Sequence, residues 1–368
     1  MSFSENIPTS KQLFQDTGCD WTRRDLFRAS ALMGLGLALS PTLGQAAPSS
    51  TAIPVRRQMV QAIDGPFHVL EQGEGPAVLF CHGFPDTAET WRSQMQAVAE
   101  AGYRAVALDM RGYGRSFAPE NPDLYTALHI TGDLIAVLDA LSIDNAVIVG
   151  HDWGAYNAQH AALMRPDRFR ALVSISIPFA PRGEVDPWQI LRDYGLNEAY
   201  YAFELAEPGA ETLFADAQQS IPSILYWLSA SPAPALRWNP LDPHLHMLRP
   251  APVAVPEWAD PDYVNHTISA FQRTGFRGGL NYYTAFSRTF ELTAAFKGAV
   301  IQQPALYIWG AADGLSQMLH PETPSLETLR EAQPNLVDQI RLENVGHWVQ
   351  NEAADRVNNA LTSFLLEI

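Results

Sequence analysis

Short apolar runs rich in β-branched residues recur along the chain, and each predicts a buried strand. They lie at residues 77–81, 104–108, 146–149, 171–177, 305–309 and 339–342. Two earlier segments, 58–63 and 67–71, flank Asp64-Gly65 and predict a β-hairpin. Helical spacing of apolar positions predicts helices over 131–141, over 155–164 with a stop near Pro166, and over 352–366. Strands alternating with helices in this way imply a mostly parallel sheet of eight strands with helices on both faces, an α/β fold.

The rhythm breaks between residues 180 and 297, where helical, aromatic-rich segments carry no convincing strand. Residues 232–256 hold seven prolines, but Trp238, Leu241, Leu245, Met247, Leu248 and Val253 are interleaved, which predicts an ordered loop lying on a surface. The domain plan is therefore a core over 58–179 and 298–368 with a helical insertion over 180–297. A small-residue linker over 47–57 precedes the core.

Residues 1–46 read as an address. Thr22-Arg23-Arg24-Asp25-Leu26-Phe27-Arg28 resembles a twin-arginine export motif, and the apolar stretch 29–39 that follows is too short to span a bilayer. Gly44-Gln45-Ala46 offers small residues for cleavage. The expectation is a folded protein exported to the periplasm or secreted. Net charge is −16, and loss of the leader leaves it unchanged at 20 basic against 36 acidic residues. That excess of acid argues against nucleic acid and anionic membranes as partners. Cys19 would depart with the leader, leaving Cys81 alone, at the end of an apolar strand, where it reads as core.

Candidate chemistry collects behind the strands. The strand over 146–149 runs into Gly150-His151-Asp152-Trp153-Gly154 and then into a helix. A strand-to-helix turn with glycines at both ends is the pattern of a nucleophile elbow, whose middle residue is usually serine. Here it is Asp152. A carboxylate is a usable nucleophile toward a strained or activated sp3 carbon, and the product is an enzyme ester that water must cleave. Asp313 and His347 also follow strands. In an open parallel sheet such positions share one crevice, in the order nucleophile, acid, histidine.

The turn His82-Gly83-Phe84-Pro85 follows the strand over 77–81 and is a plausible place for a cis bond before Pro85. It offers the Phe84 amide, with the Trp153 amide, as an oxyanion hole, and His82 as a brace for the loop. The glycine-containing run Asp109 to Ser116 lacks a phosphate-loop pattern and reads as a structural loop with internal ion pairing. His244 and His246 lack a third metal ligand nearby and read as surface or structural residues.

These motifs, in this order over about residues 58–366, resemble the α/β-hydrolase superfamily and, within it, the soluble epoxide hydrolases. The resemblance implies an inserted helical cap that carries two tyrosines to hold the epoxide oxygen. Spacing to Glu207-Pro208-Gly209 matches Tyr201, and the run Gly275 to Tyr283 matches Tyr283. Each has a tyrosine neighbour, Tyr200 and Tyr282, so a one-residue shift stays open. The resemblance implies a small apolar epoxide and water as substrates, a vicinal diol as product, and no cofactor or metal. Aromatic residues such as Phe203, Tyr226, Trp227 and Trp238 suggest an apolar pocket. The nearest rival is a haloalkane or haloacid dehalogenase, which shares the aspartate–histidine–acid set and, in haloalkane dehalogenases, a tryptophan after the nucleophile. A non-catalytic receptor on the same fold is a third reading. A serine esterase is least in keeping with an elbow that holds no serine.

Overall fold

Eight strands form one sheet in the computed structural model, which describes residues 53–319 and 323–368. They are β1 (Arg56–Gln61), β2 (Pro66–Gln72), β3 (Ala77–Cys81), β4 (Arg104–Leu108), β5 (Ala146–His151), β6 (Phe169–Ile175), β7 (Ala305–Gly310) and β8 (Leu336–Leu342). Their order is β1-β2-β4-β3-β5-β6-β7-β8. Strand β2 pairs antiparallel with β1 and with β4, and every later pairing is parallel. The leader falls on residues 1–46, outside the described residues.

The central strands are mostly apolar because both faces are covered. Ala77, Leu79 and Cys81 point into one core, and Val78 and Phe80 into the other. On β5, Ala146 and Ile148 divide from Val147 and Val149 in the same way. Helix α1 (Arg92–Glu100) covers one face, while α2 (Ala127–Ala140) and α3 (Trp153–Met164) cover the other. The sequence reading named no helix over α1, although a parallel β3–β4 pair requires a crossover. Met95, Val98 and Ala99 are its buried stripe.

Between β6 and β7 the chain forms α4 (Pro187–Asp193), α5 (Tyr201–Ala206), α6 (Ala217–Trp227), α7 (Pro261–Thr274), α8 (Arg277–Thr284) and α9 (Phe286–Leu292). Aspartate side chains cap α4, α6 and α7: Asp186, Asp216 and Asp260 accept the N–H two residues on. In the proline-rich loop Trp238 and Met247 are buried, whereas Val253 is 44% exposed. His244 and His246 are exposed. After β7 come α10 (Gly314–Leu319) and α11 (Leu326–Ala332). The closing helix is broken in two, α12 (Val349–Glu352) and α13 (Ala354–Glu367), because Ala353 leaves helical geometry at φ −134°, ψ 43°. No helix among the described residues is long and apolar enough to cross a membrane.

Candidate active site

Asp152 stands between β5 and α3 at φ 54°, ψ −123°. A positive φ on a side-chain-bearing residue costs about 1–3 kcal/mol, so the surroundings must over-determine it. They do so by close approach. A Cβ on Gly154 would lie 2.1 Å from the Cys81 carbonyl oxygen, and one on Gly150 would lie 2.3 Å from that of Gly154. Helix α3 is therefore seated against the end of β3, and the Asp152 carboxylate stands at the lip of the sheet.

The loop after β3 meets it there. The Phe84 N–H donates to Asp152 Oδ1 at 2.8 Å, and the Trp153 N–H also bonds this carboxylate. A Cβ on Gly83 would sit 2.3 Å from the same oxygen, so only glycine lets the loop close on the aspartate. The Phe84–Pro85 peptide is cis. His82 braces the turn as expected: Nδ1 donates to the Gly83 carbonyl at 2.9 Å and Nε2 accepts the Met110 N–H at 3.0 Å. Burial pushes its pKa down to about 4, which keeps it neutral and able to accept.

His347 Nδ1 lies 3.2 Å from Asp313 Oδ2, and Nε2 faces Asp152 Oδ2 at 3.8 Å. Asp313 is itself held by the Leu315 N–H and the Ser316 hydroxyl. Burial works to lower the His347 pKa, but Asp313, and then Asp152, outweigh it and raise it above the ordinary imidazole value. Burial also raises the Asp152 pKa, opposed by His347 and by the Phe84 and Trp153 amides.

Tyr201 and Tyr283 line the same cavity as Asp152, from two helices of the insertion. Their rings lie edge to face at 6.0 Å, and Tyr283 packs edge-on to Trp153 at 4.9 Å. Burial first, and then neighbours that include Asp152, raise both phenol pKa values well above 10. Both therefore remain protonated donors near neutrality.

The α/β-hydrolase fold family matches residues 76–354. An epoxide hydrolase of Caballeronia sordidicola is 55% identical over 298 residues, spanning 81% of this chain and 90% of that one. Epoxide hydrolase A of Mycobacterium tuberculosis is 35% identical over 304 residues, with 81% and 93% covered. The chain belongs to the epoxide hydrolase family. A solved epoxide hydrolase from an endophytic Streptomyces superposes with TM-score 0.78 at 36% identity, over 84% of this chain and 95% of that one. Epoxide hydrolase A from Mycobacterium thermoresistibile gives 0.77 at 35%, over 85% and 98%. As a member of the epoxide hydrolase family, the protein is a hydrolase acting on ether bonds.

Other placements in this epoxide hydrolase fold refine the sequence reading. Tyr282 turns away from the cavity: its hydroxyl donates to the Arg111 carbonyl at 2.9 Å, and its ring packs on Tyr113 and Tyr125. Tyr200 lines the cavity beside Tyr201. The cavity encloses about 330 Å³, and its aromatic wall includes Trp188, Phe286, Phe290 and Phe296. None of Phe203, Tyr226, Trp227 and Trp238 lines it. Phe203 packs behind Trp188, Trp238 behind Tyr201, and Trp227 donates its indole N–H to the Arg249 carbonyl.

The ion pairs of the loop over 109–116 run outward, and its internal ties are hydrogen bonds from the Arg115 N–H and the Ser116 hydroxyl to Asp109. Arg111 forms a bidentate bridge to Asp133 on α2 and reaches Asp64, while Asp109 pairs with His68. Sequence reasoning also missed His151, whose Nε2 donates to the His347 carbonyl at 2.8 Å, and Ser316. Its place beside Asp152 at the end of β5 was the available signal for His151. Among the described residues no group of three or more His, Cys, Asp or Glu side chains could hold a metal ion.

Proposed function

We propose that the protein converts an apolar epoxide and water to a vicinal diol through an ester on Asp152. The observation that carries this reading is the position of the carboxylate. Oδ1 already sits on the Phe84 amide, Oδ2 faces His347 Nε2 at 3.8 Å, and Asp152 lines a cavity that two phenols also line. Oδ2 attacks a ring carbon, and Tyr201 and Tyr283 bind the ring oxygen and protonate it as the bond breaks. The ester carbonyl is then Oδ1, held by the Phe84 amide before it becomes an oxyanion, with the Trp153 amide beside it as the second donor. His347, oriented by Asp313, takes a proton from water, and the resulting hydroxide attacks the ester carbon. Of the water's two protons, one leaves with the expelled alkoxide through His347, and the other restores the tyrosine.

The dehalogenase reading lacks support. Phe84 offers only an apolar ring at the position where a halide would want a polar donor, packed against Phe214, Phe276 and Tyr283. The deciding experiment sets the protein and its Asp152→Ala variant against styrene oxide and a chloroalkane. Diol formation should fall on the order of 10⁴-fold or more in the variant, as nucleophile removal does elsewhere. Chloride release without diol would overturn the reading.

The pH dependence follows from the imidazole. Hydrolysis of the ester needs neutral His347, whose pKa Asp313 works to raise, so this step should weaken as pH falls through the His347 pKa. Asp313→Asn removes the chief raising charge. Single-turnover ester hydrolysis should then be slower and its acid limb should move to lower pH. A limb that stayed in place would assign that titration to another group.

A further inference from the structure

The loop that carries His347 is fixed mostly through main-chain atoms, but one side chain gathers three of its contacts. Glu352 ends α12, five residues past the histidine. Its Oε2 accepts the Gly346 N–H at 2.9 Å and the Ala230 N–H at 2.8 Å, and its Oε1 accepts the Trp348 N–H at 3.0 Å. The main chain on both sides of His347 thus hangs on one carboxylate. The same carboxylate reaches Ala230, just past α6 in the insertion.

Two further contacts join the same segments. The His347 N–H donates to the Leu228 carbonyl at 2.9 Å. A Cβ on Gly346 would lie 2.4 Å from the Ser229 main chain, so the strands of backbone run in direct contact. Three N–H donors converge here, and an acceptor-only group is the one that satisfies them all. An amide of the same shape would turn its NH₂ toward one of them. Burial pushes the Glu352 pKa up to about 7 against the pull of these three amides, and in its ionised form the bonds are charge-assisted and stronger than those an amide could make.

We infer that Glu352 is a positioning residue for cleavage of the ester: it sets where His347 stands and ties that position to residues 228–230 of the insertion. This rests on the ester mechanism proposed above. Ring opening depends on Asp152, Tyr201 and Tyr283, none of which shares a hydrogen bond or ion pair with Glu352. Cleavage of the ester depends on where His347 Nε2 points, and that follows the loop.

The test separates the two steps. The full chain, Glu352→Gln, Glu352→Asp and His347→Gln are each mixed with styrene oxide, quenched at intervals and weighed intact. In Glu352→Gln, ester formation should stay within about threefold of the parent while ester hydrolysis slows about 10- to 100-fold, the scale that a misplacement of about 1 Å produces. The adduct should then accumulate. Glu352→Asp keeps the charge on a shorter stem and should restore part of the hydrolysis rate; it also decides the matter if the glutamine variant does not fold. Equal slowing of both steps, as a loss of folded enzyme gives, overturns the inference, and so does unchanged hydrolysis. An adduct in His347→Gln but not in Glu352→Gln overturns it while leaving the ester mechanism standing. No adduct in His347→Gln overturns both.

Discussion

His347→Gln should take up one equivalent of epoxide and fail to let it go. Ester formation uses the Asp152 carboxylate and the phenols, and glutamine cannot replace a base. Hydrolysis should slow about 100- to 10,000-fold, the usual worth of a general base. Intact mass should rise by the mass of the substrate, and peptide mapping should put the increment on Asp152. The environment favours trapping. The Phe84 amide holds Oδ1 and the Trp153 amide bonds the same carboxylate, so the ester would be retained in the geometry that hydrolysis needs, with the activating nitrogen missing. A variant that turned over at the parent rate, or that carried no added mass after exposure, would remove His347 from the scheme.

The phenols should give the opposite split. Tyr201→Phe or Tyr283→Phe removes one donor to the departing oxygen, and a donor of this kind is worth about 2.7–4 kcal/mol, or about 100- to 1000-fold in ring opening. Ester hydrolysis should be little changed, so no adduct accumulates. The double variant should be slower again, though not by the product of the single effects. Tyr282→Phe is the control. Its hydroxyl serves the Arg111 carbonyl, so its loss should cost about 0.5–1.5 kcal/mol of stability and leave ring opening near the parent rate. If Tyr282→Phe were the damaging change and Tyr283→Phe harmless, the assignment would be reversed. Rapid-quench rates for each step, with thermal unfolding beside them, make the distinction.

Most of the sheet was legible because buried parallel strands leave unbroken apolar runs, and each predicted strand has its counterpart in β1 to β8. Helix α1 was not named, since its stripe of Met95, Val98 and Ala99 is thin beside a polar remainder. The glycines around Asp152 could be read from sequence because close approach of backbones admits nothing larger. The paired tyrosines could not be ordered that way. Adjacent residues on a helix point about 100° apart, and only the surroundings of α8 decide that Tyr283 faces the cavity while Tyr282 faces Arg111. Which rings form the cavity wall is not legible in the sequence for a related reason. Phe203, Tyr226, Trp227 and Trp238 are as aromatic as the true lining, and composition does not say which ring lies in front. Glu352 left no signal at all, because its partner at Ala230 lies 122 residues away in the chain.

The wall and the reacting groups come from different stretches of sequence. Trp188, Phe286, Phe290 and Phe296 shape the cavity, whereas the carboxylate and the two phenols enter it from the end of β5, from α5 and from α8, and the imidazole faces the carboxylate from the loop after β8. A residue that shapes the space can therefore change without moving an atom that reacts. Such a layout lets a lineage, or a protein engineer, shift which hand or which size of molecule is accepted through substitutions in α4, α9 and the turn behind it, while the bond-breaking apparatus is inherited intact.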